Sequence, residues 1–205
     1  MGRDGKPTRD KILAESKALI YENGFAGTSV DAILAKTGIT KGAFFYHFKT
    51  KAELALVLIH EFSETDLKEL DRVMSDTHQY ADEPKKRLIE FVQCFINMFS
   101  GLEEPPGCLY ASVSNEQNQY NDEIKKVVSD TIIKWRIAIE EMIDTILENH
   151  VPTMEIDKES LADHFNVIIE GAFIISKALN NPSLIAKQLT HYRNYLHLLF
   201  KPTSS

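Results

Sequence analysis

Apolar residues recur at three- and four-residue spacing along almost the whole chain, as in Ile12, Ala18 with Leu19, then Val30, Ile33 and Leu34. That is the helical period, with one apolar stripe per element. No strand-like alternation and no internal repeat interrupts it. Thr8 predicts the cap of a first helix. Asn23-Gly24 predicts its end, because Gly takes the left-handed conformation without steric cost. Thr28 or Ser29 caps a second, short helix, with Asp31 in the first turn where negative charge is favoured. Gly38 reads as a turn, and Thr40 as the cap of a third helix running to about Phe48. Leu54, Leu58, Phe62 and Leu70 share a stripe on a long helix from Lys51 to about Thr77. After Pro84 comes another stripe, of Leu88, Phe91, Phe95 and Met98. The run SGLEEPPG, Ser100 to Gly107, is the clearest interior break. Further helices are expected from Cys108 to Gln117, Asp122 to Asn149, Asp157 to Leu179 and Pro182 to Phe200, the last with Pro in its first turn. The terminal KPTSS reads as a frayed tail. The expected fold is all-α with about nine helices. A three-helix domain over residues 1–50 precedes a helical domain over residues 51–205.

The segment from Thr28 to Lys51 has two short helices joined by a tight glycine turn, the pattern of a DNA-binding helix-turn-helix. In that arrangement the second helix of the pair lies in the major groove. Thr40, Lys41, Ala43 and Phe45 fall at its front. Lys41 would reach a guanine edge or a phosphate, and Ala43 and Phe45 a thymine methyl. His47, Lys49, Lys51 and Thr28 would hold phosphates, which position a protein without reading sequence. Phe44 and Phe48 are expected to face inward, while Tyr46 fits either role.

Net charge changes the picture only through its distribution. The chain carries −7, yet residues 1–60 hold nine Lys/Arg against six Asp/Glu, and the remainder 14 against 24. A basic head on an acidic body suits a protein whose head alone meets phosphates. Hydrophobic residues make up 43% of the chain, ordinary for a globular protein. There is no apolar run of about 18 residues and no signal-peptide core, so a cytoplasmic protein is expected. Cys94 and Cys108, the two cysteines, do not make a disulfide framework. His60 and Glu64 lie one helical turn apart, but no third metal ligand is spaced to join them. Metalloprotease, phosphate-loop, nucleophile-elbow and paired CxxC motifs are all missing. The sequence therefore predicts no enzyme, no cofactor and no metal.

The run GFAGTSVDAILAKTGITKGAFFYHFKTKAEL resembles the N-terminal domain of the TetR/AcrR family of transcriptional regulators. Gly24-Phe25, Thr28, Ile33, Ala35, Gly38, Lys41-Gly42, Tyr46-His47-Phe48 and Lys51 carry the resemblance. Gly107-Cys108-Leu109 and Glu170-Gly171-Ala172 extend it loosely into the body. One departure stands out: the family usually has Tyr where this chain has Phe45, which removes a hydroxyl that would meet phosphate or base. The resemblance implies a homodimer on a palindromic DNA operator, with Gly42 and Tyr46 added to the DNA-contacting set. It also implies an effector pocket in the body, and hence a repressor released by a small hydrophobic molecule. Phe62, Phe91, Phe95, Met98, Phe99, Trp135 and Phe165 are either that pocket or ordinary core. Cys108, at a predicted helix start that would lower its pKa but beside Glu103 and Glu104, is either an inert pocket residue or an electrophile and redox sensor. Ile168, Gly171, Ala172, Ile175, Leu179, Leu184, Tyr192 and Tyr195 are either a dimer face or intrachain core. A helical ligand-binding protein with a degenerate DNA head remains the alternative from another class.

Overall fold

The structure, a computed structural model, describes residues 5–201, the side chain of Gln117 excepted. Nine α-helices are found among those residues, and no strand. They are α1 (Lys6–Gly27), α2 (Val30–Thr37), α3 (Lys41–His47), α4 (Lys51–Asp76), α5 (Pro84–Ser100), α6 (Leu109–Asn115), α7 (Asp122–Leu147), α8 (Lys158–Leu179) and α9 (Leu184–Leu199). Single 3-10 turns follow α4 and α6. The expected frayed tail after Lys201 lies outside the described residues.

Helix boundaries follow local chemistry. Ser29, not Thr28, caps α2, its hydroxyl accepting from the Ala32 amide at 3.0 Å. Thr40 caps α3 in the same way, accepting from Ala43. Gly38 closes α2 at φ 69°, ψ 15°, the left-handed conformation that only Gly adopts cheaply. Asp157 caps α8 through the Ser160 amide. Two expected starts move. The first helix begins at Lys6, with Pro7 in its first turn, because proline's fixed φ suits that position. Thr8 is thus inside the helix rather than its cap. Pro182 precedes α9, whose first residue is Leu184.

The chain packs as two compact units that do not divide at residue 50. The first holds residues 1–65 and 108–130, the second residues 66–107 and 131–205. α6 thus belongs with the three N-terminal helices. In the first unit Ile12, Ile20, Ile33, Phe44, Phe48, Leu54 and Ile59 are buried, and α6 adds Leu109, Tyr110 and Val113. The second unit is built on α5, α8, α9 and most of α7. Its core joins Leu88, Phe91, Phe95, Trp135, Ile139, Phe165, Leu189, Tyr192 and Leu196 in one continuous cluster. No helix among the described residues is long and apolar enough to cross a membrane.

Candidate nucleic-acid interface and body sites

Seven residues are too few to hold a helix in water by themselves, so α3 depends on what anchors it. Its anchors are Phe44, fully buried, and Phe48, 1% exposed, whose rings pack 6.0 Å apart. With one side of α3 committed to the core, the other must face out. Tyr46 is 75% exposed and Phe45 37%, and Thr40, Lys41, Gly42 and Lys49 are also exposed. A Cβ added at Gly42 would meet nothing closer than the Thr40 hydroxyl at 4.0 Å, so this backbone is open to a close neighbour. Ala43 and His47 are half-buried. The His47 ring packs edge-on to Tyr46 at 5.0 Å. The Lys49 ammonium donates back to the Phe45 carbonyl at 3.3 Å.

Two of the expected phosphate contacts lie elsewhere. Thr28 is 1% exposed, and its hydroxyl donates to the Gly24 carbonyl at 2.8 Å. It braces the entry to α2 and has no face toward solvent. Lys51 is half-buried, with its ammonium donating to the Phe25 carbonyl and lying 3.9 Å over the Phe25 ring. Burial pushes this amine below the ordinary lysine range, against the nearby Glu116 carboxylate, which raises it.

Glu116 is the residue that sequence reasoning missed. At Gly24 the backbone turns to φ 72°, ψ 170°, kinking α1. The next two amides would be orphaned by that kink. Both are taken by the one carboxylate: Phe25 N–H donates to Glu116 Oε1 at 2.8 Å and Ala26 N–H to Oε2 at 2.7 Å. A Cβ at Gly24 would come within 2.6 Å of Glu116 Oε1, so Gly24 is required by its φ and by this approach alike. Around the clamp, the Tyr120 ring packs on Phe25 at 4.5 Å, and its hydroxyl lies 3.0 Å from that of Ser112. Burial, partly opposed by the Ser112 bond, pushes Tyr120 up to about 12. The sequence separation of 90 and 91 residues left no local signal for the clamp.

A capped helix pair presenting an exposed backbone glycine, a lysine and two aromatics is the helix-turn-helix geometry, and comparison with known proteins agrees. Residues 12–58 match the family model described as "Bacterial regulatory proteins, tetR family". Residues 84–192, more than half of the chain, match the one described as "Tetracyclin repressor-like, C-terminal domain". The chain belongs to the TetR family. It is a DNA-binding transcriptional regulator. Among its relatives is the HTH-type transcriptional repressor DhaR of Mycobacterium sp. (strain GP1), 24% identical over 185 residues, 90% of this chain and 89% of that protein. The transcriptional regulator AcuR of Cereibacter sphaeroides is 23% identical over 174 residues, 85% of this chain and 78% of that one. A TetR transcriptional regulator of Chloroflexus aurantiacus superposes with a TM-score of 0.73 at 25% identity, covering 97% of this chain and 98% of that one. The reduced form of E. coli NemR shares the fold, with a TM-score of 0.71 at 19% identity and coverage of 97% and 100%.

In this TetR-family chain the residues read as an effector pocket fall in both units. Phe62 and Cys108 belong to the first, and the other six to the second. Phe91, Phe95, Trp135 and Phe165 form a packed aromatic cluster, with ring centroids between 5.2 and 6.4 Å apart. The Trp135 indole N–H is satisfied by Asp66 at 2.9 Å. Phe99 packs edge-on to Phe173, and Met98 is exposed. Cys94 and Cys108 are not joined in a disulfide. Burial raises Cys94 above the ordinary thiol range. Cys108 sits half-buried at the first residue before α6. No group of three or more His, Cys, Asp or Glu among the described residues is placed to hold a metal ion.

The residues read as a dimer face also divide. Ala172 and Tyr192 are buried within the second unit, the Tyr192 hydroxyl donating to the Leu161 carbonyl at 3.0 Å. Ile168, Leu184 and Tyr195 pack partly against that core. Gly171, Ile175 and Leu179 are exposed and share α8 with two residues not foreseen, Val167 and Ile174. They occupy positions i, i+4, i+7, i+8 and i+12, which makes one apolar stripe on the helix surface.

Proposed function

We propose that this chain is a homodimeric repressor that leaves a palindromic operator when a small, largely apolar effector binds its body. The observation that carries the reading is the outward face of α3. Tyr46, Phe45, Lys41 and Gly42 stay exposed while Phe44 and Phe48 anchor the helix behind them. Lys41 and Tyr46 are the groove-facing contacts, and Thr40, Ala43, His47 and Lys49 flank them toward the phosphates. The apolar stripe Val167–Gly171–Ile174–Ile175–Leu179 on α8 supports a two-fold partner, since an exposed stripe of this kind marks an association surface. The Glu116 clamp supports coupling between effector and DNA. It ties the end of α6 to the kink that leads into α2, so a shift of α6 would move the reading pair.

The test is fluorescence anisotropy of duplex DNA across a salt series. Lys41→Ala should weaken binding and reduce the salt slope by about one unit if it holds a phosphate, or change base preference if it reads a base. Tyr46→Ala should lower specific affinity with no loss of fold. If both variants bind as the wild type does, α3 is not the reading helix.

A second reading keeps the DNA head and makes Cys108 the sensor. It is supported by the position of this cysteine directly before α6, the helix that ends beside Glu116. N-ethylmaleimide should then release DNA from the wild type but not from Cys108→Ser. Equal release from both would remove the cysteine from the mechanism.

A further inference from the structure

The second unit carries a groove between α5 and α9 that the regulator reading does not use. Its volume is about 370 Å³, and it is lined by Lys85, Lys86, Ile89, Glu90, Gln93, Arg193 and His197. Three cations thus face one carboxylate on a part of the chain that is strongly acidic. Some cations elsewhere in this unit are held in ion pairs. Arg136 is paired with Asp163 and Glu159, Lys158 with Asp144, and Arg72 with Glu69 and Asp76. Lys86 has Glu83 at 2.8 Å. Lys85 and Arg193 make no ion pair among the described residues.

Arg193 is held by neutral groups instead. One guanidinium nitrogen donates to the Gln93 side-chain oxygen, and the other lies 3.4 Å from Asn194 Oδ1. Gln93 is itself oriented, its amide donating to Asn97 at 2.7 Å. A neutral partner aims the guanidinium without cancelling its charge. His197, one turn beyond Arg193, registers the result. Burial lowers its pKa first, and the charges of Lys85 and Arg193 lower it further. With Lys86 paired, Lys85 and Arg193 still outnumber Glu90 in the lining, which leaves the groove electropositive.

From the unpaired Lys85 and Arg193, the Gln93–Asn97 relay behind the guanidinium and the groove between them, we propose a binding site for a small phosphate monoester, distinct from the DNA head. The guanidinium fork and the ammonium match a phosphate dianion in shape and charge. The groove lies within the size range of small-molecule sites, roughly 300–1,000 Å³. Its buried Ile89 and the lysine stems provide an apolar floor for the organic part of the ester. An inorganic ion would leave that space unfilled.

Phenyl phosphate is the probe, titrated into the full-length protein at constant ionic strength and followed by amide chemical shifts. The expected result is saturable binding, with shifts concentrated in residues 85–93 and 193–197. Arg193→Gln should weaken it about tenfold, the loss of a charge-assisted bidentate contact, and Lys85→Gln should weaken it by a smaller factor. Lys85→Gln also serves if the arginine variant fails to fold. Benzoate separates the two sources of an oxyanion: equal affinity for benzoate would overturn the phosphate assignment. Shifts confined to α2 and α3, or binding unchanged in both variants, would place the anion on the DNA head and overturn the site. Operator binding is read in parallel and should be intact in both variants, so failure of this site and failure of the regulator reading give different results.

Discussion

The front of α3 and the centre of the second unit are both rich in aromatic residues, and they use them in opposite ways. In α3, Phe44 and Phe48 are buried while Phe45 and Tyr46, next to them in sequence, stand exposed. In the body, Phe91, Phe95, Trp135 and Phe165 all turn inward and pack on one another. Burying a large aromatic contributes on the order of 2–3 kcal/mol. A short helix that leaves two of them outside forgoes that gain. The difference teaches that aromatic content alone does not mark a site. What marks it is an aromatic kept outside on a helix whose neighbouring aromatics have fixed its orientation.

The largest expected effect comes from exchanging the two roles. Phe44→Ala should cost about 3–5 kcal/mol, as large-to-small core changes do, and should abolish DNA binding by unfolding the head. Phe165→Ala should destabilise by a similar amount. Tyr46→Ala should stay within about 0.5 kcal/mol of the wild type in denaturant melts while losing operator affinity. A strongly destabilised Tyr46→Ala would erase the contrast between the two regions.

Next in size is the α8 stripe. Ile175→Glu with Leu179→Glu should leave the monomer fold intact, because both side chains are exposed. It should convert a dimer to a monomer in sedimentation, since an unpaired charge buried at an interface costs about 3–5 kcal/mol. A dimer that survives the double change would remove the stripe from the interface.

Glu116→Gln sharpens the comparison from the other side, because it tests a contact made far from the reading face. The amide has one acceptor oxygen where the carboxylate has two. One of the Phe25 and Ala26 amides should be left unmet, at about 1–3 kcal/mol. Urea melts should show a loss in that range, and operator affinity should fall although no DNA contact was changed. A variant with wild-type stability and affinity would demote the clamp to a passive contact.

Smallest is Thr40→Ala, which removes the α3 cap and should cost about 1 kcal/mol. A larger loss in operator affinity than in stability would show that the Thr40 hydroxyl also meets DNA directly.

How far these features were legible follows from how local they are. Ser29, Gly38 and Thr40 act within three residues of themselves, so α2, α3 and the turn could be placed from the chain. The apolar periods located the longer helices to within a few residues. Thr28 looked like a phosphate contact because hydroxyls before a helix often are, but the Gly24 kink draws it inward. The inward bond of Lys51 could not be foreseen for a related reason: its partner, Phe25, lies 26 residues away. Glu116 was invisible, because nothing in QNQ or its neighbours signals a carboxylate serving α1. Pocket and dimer residues share the same apolar periodicity as core. Ala172 and Tyr192 could be separated from Ile175 and Leu179 only by packing.

The central claim is that the exposed face of α3 reads a two-fold DNA site. Selection of random duplexes by the purified protein, at two salt concentrations, tests it most directly. The account predicts a palindromic enriched sequence whose half-sites are about one helical turn apart, roughly 34–36 Å or a multiple, and whose enrichment persists at the higher salt. Weak, sequence-blind binding that vanishes as salt rises would contradict it.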